Sequence, residues 1–150
     1  MRNDMQLLEN KKAKIRFETI DTYSAGMELL GSEVKALRSK LGSLDGARVV
    51  IRGGEAYLIG VTIPPFQVSN TEESYDPERP RRLLLKKQEI ALLSDAESKK
   101  GLTIVPLEVY NNRHIKVRIA IVRGKGKADK REDLKKKDAD REIARVMKRK

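Results

Sequence analysis

LTIVPLEVY (102–110) and HIKVRIAIV (114–122) stand on either side of Asn111, Asn112 and Arg113. In the second run Ile115, Val117, Ile119 and Ile121 alternate with Lys116, Arg118 and Ala120. Successive side chains of a strand point to opposite faces, so the apolar set turns to a core and the basic set turns out. Two such runs across a short polar break read as an antiparallel pair.

The segments on either side extend this reading. ARVVIR (47–52) and EAYLIGVTI (55–63) flank Gly53 and Gly54, and two glycines supply the positive φ angles of a tight hairpin turn. KIRFETI (14–20) alternates Ile15, Phe17 and Thr19 with Lys14, Arg16 and Glu18, the period of another strand. In GSEVKALRSKLG (31–42) Val34, Leu37 and Leu41 recur at three to four residues, Ser32 is placed to cap, Glu33 suits the N-terminal dipole and Gly42 can close the end. This predicts a short amphipathic helix. Pro64, Pro65, Pro77 and Pro80 make residues 64–82 a long surface loop ending in a basic corner. LLLKKQEIALLSDAESKKG (83–101) then reads as a short apolar run followed by a helix bearing Ile90 and Leu93, closed by Lys99, Lys100 and Gly101.

Antiparallel strands with short helices and no regular strand–helix–strand alternation favour a mainly β fold, a small, partly closed antiparallel β-barrel of the oligonucleotide-binding (OB) kind, with two or three short peripheral helices. At 150 residues there is room for one such core. Residues 1–122 form the predicted barrel domain and residues 123–150 a basic tail. From Arg123 onward there are 13 Lys/Arg and 6 Asp/Glu, a net of +7 that leaves +4 of the chain's +11 for the domain. The tail has a single apolar cluster, Ile143, Val146 and Met147 at helical spacing, so it is expected to be disordered when free and helical against a partner. So basic a balance points to a polyanion.

Other classes find little support. Without cysteine there is no disulfide framework and no thiolate metal site. No apolar run approaches the roughly 20 residues of a membrane span, and the start lacks the apolar core of a secretory signal, so a cytoplasmic protein with no membrane contact is expected. His114 follows a turn without a marked serine or carboxylate partner, Glu72 and Glu73 lie in the loop, and neither Gly53-Gly54 nor the glycines at 124 and 126 open a phosphate loop. We therefore expect no enzyme, no cofactor and no metal. Lys11, Lys12, Lys14, Arg16, Lys35, Arg38, Arg79, Arg81, Arg82, Lys116 and Arg118 form a distributed set suited to phosphate. With two Phe, four Tyr and no Trp, recognition of folded RNA by shape and phosphate is favoured over stacking of single-stranded bases.

Five pieces in order along the chain resemble one family: Asn10-Lys11-Lys12-Ala13, AGMELLGSEVKALR (25–38), DPERPRRLLL (76–85), TIVPLEVY (103–110) with KVRI (116–119), and ADKRE (128–132) followed by IARVMK (143–148). Together they are similar to the SsrA-binding protein (SmpB) family, the protein partner of bacterial transfer-messenger RNA (tmRNA). The resemblance implies a monomeric, non-catalytic adaptor that binds the tRNA-like domain of tmRNA and, with elongation factor Tu acting indirectly through that RNA, brings it to stalled ribosomes for trans-translation. It further implies RNA contacts at Asn10, Lys11, Phe17, Leu84 and Lys116, with Lys35, Arg38 and Lys125 as electrostatic support. For the tail it implies a path into the empty mRNA channel of the ribosome, with Asp129, Lys130 and Arg131 near the small-subunit decoding centre and Ile143 and Met147 on the apolar side of an induced helix. Three positions depart from the family pattern: Ser24 stands where an acidic residue is usual, Gly126 where lysine is usual, and Ala128 where a ring is frequent. The alternative is a general ribosome-associated or assembly RNA-binding protein with no tmRNA specificity, and a carboxylate enzyme acting on RNA is the rival from another class.

Overall fold

A computed structural model describes residues 5–66 and 74–125. The predictions for Glu72, Glu73, Gly126, Ala128, Asp129, Lys130, Arg131, Ile143 and Met147 fall outside the described residues. Ten elements follow one another: β1 Met5–Glu9, α1 Lys11–Arg16, β2 Phe17–Met27, α2 Gly31–Arg38, β3 Arg48–Arg52, β4 Glu55–Ile59, β5 Arg81–Leu84, α3 Lys87–Ser98, β6 Leu102–Asn112 and β7 His114–Gly124. The seven strands make one antiparallel sheet in the order β1-β6-β7-β2-β5-β4-β3.

The mainly β fold with short helices agrees with the sequence reading, which placed the strands in a barrel only partly closed. Among the described residues no ladder joins edge strand β1 to edge strand β3, so the barrel is not sealed by hydrogen bonds. The sheet instead curls until β3 packs on β6, and α3 lies across both. On the β3 edge the Ile51 amide donates to Glu97 of α3 at 3.0 Å, which occupies a donor that an open edge would leave free.

The β6–β7 pair forms as read, but with a tighter turn. Pairing continues to Asn112 opposite His114, and Arg113 alone takes a positive φ of 60°. Ile115, Val117, Ile119 and Ile121 are buried in the main core with Leu37, Leu58, Leu83, Leu93 and Ile104. The other face of β7 is only partly an outer face. Ala120 and Val122 are also buried, in a second small cluster with Ala13, Val105 and Phe17, because α1 covers that end. The Gly53-Gly54 hairpin is as predicted, with φ of 57° and 75° and Arg52 paired with Glu55.

Three predicted elements are corrected. The loop placed over residues 64–82 ends sooner, because Arg81 and Arg82 already belong to β5, paired with Leu58 and Tyr57. KIRFETI is not one strand, since Lys11–Arg16 is helical and the strand begins at Phe17. The decisive residue lies before the run: the Asn10 side chain caps the helix by accepting from the Ala13 amide at 3.2 Å, and burial of Ala13 rewards the turn. In α2 the first residue is Gly31 and the cap position is Leu30, so Ser32 is not the cap, and the Glu33 carboxylate accepts from the Leu30 amide at 2.8 Å. That helix ends at Arg38, and two residues after it take a positive φ, Lys40 at 61° and then Gly42 at 126°.

Candidate nucleic-acid interface

Residues directly opposite in an antiparallel ladder share a face, so register alone builds much of the surface. Tyr110 pairs with Lys116, Lys116 with Gly26, and Gly26 with Leu84, making one row across β6, β7, β2 and β5. The next row holds Glu108, Arg118 and Ser24. Both rows lie on the face opposite the main core, since their strand neighbours Val109, Val117, Ala25 and Leu83 are core residues. Here Leu84 is half exposed, at 50%, whereas Leu83 is fully buried. A Cβ at position 26 would lie 3.3 Å from Leu84 Cδ1, so glycine there lets the leucine settle across β2.

Ser24, Gly26, Leu84 and Lys116 of these rows wall an open groove of about 500 Å3 completed by Glu55, Arg82, Lys86, Lys87, Glu89 and Ile90. Both carboxylates in it are engaged: Glu55 pairs with Arg82 at 3.3 Å, and Glu89 accepts from the Lys86 amide at 3.0 Å at the start of α3. Arg82 also holds Glu28 at 2.8 Å, and these carboxylates raise its already high pKa. Above the groove the Tyr110 hydroxyl donates to Ser24 Oγ at 2.8 Å. The Arg118 guanidinium lies 5.0 Å from the Tyr110 ring centroid and pairs with Glu108, which also accepts from Gln6 at 2.7 Å.

The same face continues toward α1 because of a bulge. The β2–β7 register shifts between Thr19 and Asp21, so one residue of β2 is extra and Ile20 is left 46% exposed. Without the shift Phe17 would face the core side; with it, Phe17 pairs with Gly124 on the face that carries Ser24 and Gly26. Phe17 lines a second recess of about 240 Å3 with Asn10, Lys12, Arg16, Arg48 and Thr103. Asn10 itself is 4% exposed. Its Nδ2 donates to the Pro106 carbonyl at 2.8 Å and its Oδ1 accepts from Ala13, so this side chain is spent on the fold. Lys11 is exposed beside it, and Lys125 is half-buried, its amide donating to the Arg16 carbonyl at 3.0 Å.

Ion pairing sorts the cations that composition treats alike. Arg81 is fully buried, with Nη2 2.6 Å from Glu33 Oε2, and it donates further to the carbonyls of Val61 and Pro77. Arg79 pairs with the other Glu33 oxygen, and the Tyr75 hydroxyl donates to Glu33 at 3.1 Å. Burial alone would raise the Glu33 pKa, yet the bonds from Arg79, the Leu30 amide and Arg81 outweigh it and hold the carboxyl below its ordinary value. The predicted phosphate role is therefore corrected for Arg81, which is fully buried and ties β5 to α2, while Arg79 and Arg82 are engaged by Glu33, Glu28 and Glu55 but stay partly exposed. Arg118, Lys12 and Lys14 are also paired, with Glu108, Asp45 and Glu9. Lys11, Arg16, Lys35, Arg38, Arg48 and Lys116 form no ion pair among the described residues. Lys35 and Arg38 are exposed on α2, apart from the Leu84 row.

Period two could have revealed the buried arginine, since Arg81 lies two residues before Leu83 and so on its face. The Tyr110–Ser24 contact has no such signal, because it joins strands 86 residues apart. Among the described residues no cluster of three or more His, Cys, Asp or Glu is placed to hold a metal, and no helix is long and apolar enough to cross a membrane.

A curled antiparallel sheet whose outer face carries Lys116, without an ion pair among the described residues, beside half-exposed Leu84 is an OB-like β domain with a surface suited to nucleic acid. The particular family follows from comparison: the SmpB protein family matches residues 7–149, and the chain belongs to it. It is 44% identical over 143 residues to the SsrA-binding protein of Thermosynechococcus vestitus, covering 95% of this chain and 94% of the relative. The SsrA-binding protein of Elusimicrobium minutum is 46% identical over 142 residues, 94% of this chain and 90% of that one. A solved chain described as "tmRNA-SmpB: a journey to the center of the bacterial ribosome" is similar at a TM-score of 0.67 and 38% identity, over 85% of this chain and 93% of that chain.

Proposed function

We propose that this chain is an RNA-binding adaptor of trans-translation: it binds the tRNA-like domain of tmRNA and brings that RNA to stalled ribosomes, where it does no chemistry itself. The observation that carries this is the end-to-end family match, residues 7–149, with relatives that are SsrA-binding proteins and a structural neighbour from a tmRNA-SmpB ribosome study. The Leu84 groove supports it physically. Lys116 offers a cation without an ion pair among the described residues, and Leu84, seated over Gly26, an exposed apolar surface, which together suit the backbone and ribose of a folded RNA.

In this reading Lys116 and Leu84 contact the RNA directly. Lys11, Phe17 and Lys125 extend the contact toward α1, Asn10 orients that end from within, and Lys35 and Arg38 add long-range attraction. The division between domain 1–122 and tail 123–150 assigns RNA capture to the first. The second enters the mRNA channel, with Asp129, Lys130 and Arg131 at the decoding centre and Ile143 and Met147 on a helix formed there. Elongation factor Tu meets the protein through the shared RNA, and the protein acts as a monomer in the cytoplasm.

Binding to the isolated tRNA-like domain and to an unrelated hairpin, compared at several salt concentrations, tests the proposal. Preference for the tRNA-like domain that persists as salt rises is expected, since phosphate attraction alone gives equal affinities and equally steep salt slopes. Incubation of RNA with the protein and Mg2+ should leave the RNA intact.

A further inference from the structure

We infer that the recess beside α1 is a seat for the chain's own tail: in the protein without RNA, Glu132 and Asp133 pair with Arg16 and Arg48 while Leu134 enters the apolar floor. RNA arriving at the α1 end then releases the segment. The release rests on the reading that Lys11 and Phe17 extend the RNA contact, whereas the seat rests on the recess itself. Its floor is apolar, made by Ala13, Ala47 and Val105, all buried, with Phe17 half-buried beside Ala13 and Val105. Its rim carries Arg16 and Arg48, both exposed and without an ion pair among the described residues, whereas Lys12 on the same rim is held by Asp45 at 3.5 Å. Two unpaired guanidiniums beside an apolar hollow of about 240 Å3 suit two carboxylates next to one aliphatic side chain.

The tail carries that pattern and starts at the right place. Strand β7 ends against the recess, since Gly124 pairs with Phe17 and the Lys125 amide donates to the Arg16 carbonyl at 3.0 Å. Beyond Lys125 the first adjacent pair of carboxylates is Glu132 and Asp133, followed at once by Leu134, the first large apolar side chain after Val122. Glu132 lies seven residues past Lys125, and a chain of that length spans roughly 15 Å when flexible and at most about 25 Å, so the recess is within reach. So short a tether gives an effective concentration in the millimolar range, which populates a contact too weak to form between separate molecules. Lys130, Arg131 and Lys135 flank the carboxylates in sequence, so the contact is local to residues 132–134 and sensitive to salt. Because tail and RNA exclude each other at the recess, each weakens the other by the same factor. At half occupancy that factor is about two, small enough to leave RNA capture nearly unchanged when the tail is removed.

The chain has no cysteine, so a single nitroxide on Lys135→Cys of the full chain tests the seat. At low salt it should broaden the amide signals of Ala13, Ala47 and Thr103 several-fold more than the same label on Lys150→Cys, and high salt should remove the difference. Arg16→Glu with Arg48→Glu should abolish the broadening, as should Glu132→Lys with Asp133→Lys. Combining all four exchanges should restore it, which a change in the fold alone would not do. Adding the tRNA-like domain should remove the broadening in the parent. No broadening from position 135, or none regained on charge exchange, would overturn the seat. Broadening that persists in the RNA-bound chain would overturn the release. Failure of the broader reading looks different, since the parent would then show no preference for the tRNA-like domain over an unrelated hairpin, while the RNA-free spectra still decide the seat.

Discussion

Arg81 and Glu33 form a fully buried ion pair, Nη2 to Oε2 at 2.6 Å, that joins β5 to the first turn of α2. Each charge is satisfied several times over: Glu33 by Arg79, Arg81, Tyr75 and the Leu30 amide, Arg81 by two carbonyls as well. Removing one member leaves the other as an uncompensated buried charge. Arg81→Met or Glu33→Ala should each cost about 3–5 kcal/mol in urea unfolding, whereas Arg82→Ala, whose pairs are exposed, should cost about 1 kcal/mol or less.

The same pair sets an acid limit. The folded Glu33 carboxyl titrates below its ordinary value of 4.5, so its contribution is present above that value and is lost as pH falls through the folded pKa. The melting temperature of the parent chain should fall below about pH 4.5 more steeply than that of Glu33→Gln, which is less stable at neutral pH but has no carboxyl to protonate. Parallel slopes below pH 4.5 would count against this assignment.

Leu84 separates stability from binding. Its side chain is half exposed beside fully buried Leu83. Leu83→Ala should lower stability by about 2–5 kcal/mol through a core cavity, while Leu84→Ala should lower it by less than about 1 kcal/mol yet weaken binding to the tRNA-like domain several-fold. Thermal melts and RNA titrations on the two variants check both halves.

Lys116 and Arg81 contrast a free cation with a consumed one. Replacing Lys116 by Gln should flatten the plot of log affinity against log salt by about one contact's worth. Lys14→Gln, whose parent residue pairs with Glu9, should change that slope less. Equal slope changes would mean that ion pairing does not sort these cations.

Deleting residues 129–150 should leave binding to the tRNA-like domain nearly intact and abolish tagging on stalled ribosomes. Loss of RNA binding on that deletion would mean that capture and probing are not divided at the domain boundary.

Much of the fold was legible in local pattern because strand alternation is a local property. Ile115 to Ile121 announced the core face of β7, and Gly53-Gly54 announced the hairpin. Around α1 the pattern misled, because Ile15, Phe17 and Thr19 alternate whether or not the chain is extended. The Asn10 cap and the cover of Ala13 by β6 and β7 settled that segment as a helix. In the candidate site Lys116 was legible as an outward residue of an alternating strand, and Leu84 was named only through family resemblance. The bulge at Ile20, which turns Phe17 onto the face of Ser24, left no sign in the residues, since register depends on the partner strand.

The sequence by itself determined the class of fold, the hairpins, the basic balance and the family, because periodicity, turn chemistry and ordered motifs are properties of neighbouring residues. Tertiary structure decided which charges are free. Arg79, Arg81 and Arg82 look like any phosphate-binding cluster until α2 brings Glu33 against β5, and Ser24 looks like any exposed serine until β6 sets the Tyr110 hydroxyl beside it. A charge or a hydroxyl is defined by what stands within about 3 Å of it, and that distance is fixed by folding rather than by order along the chain.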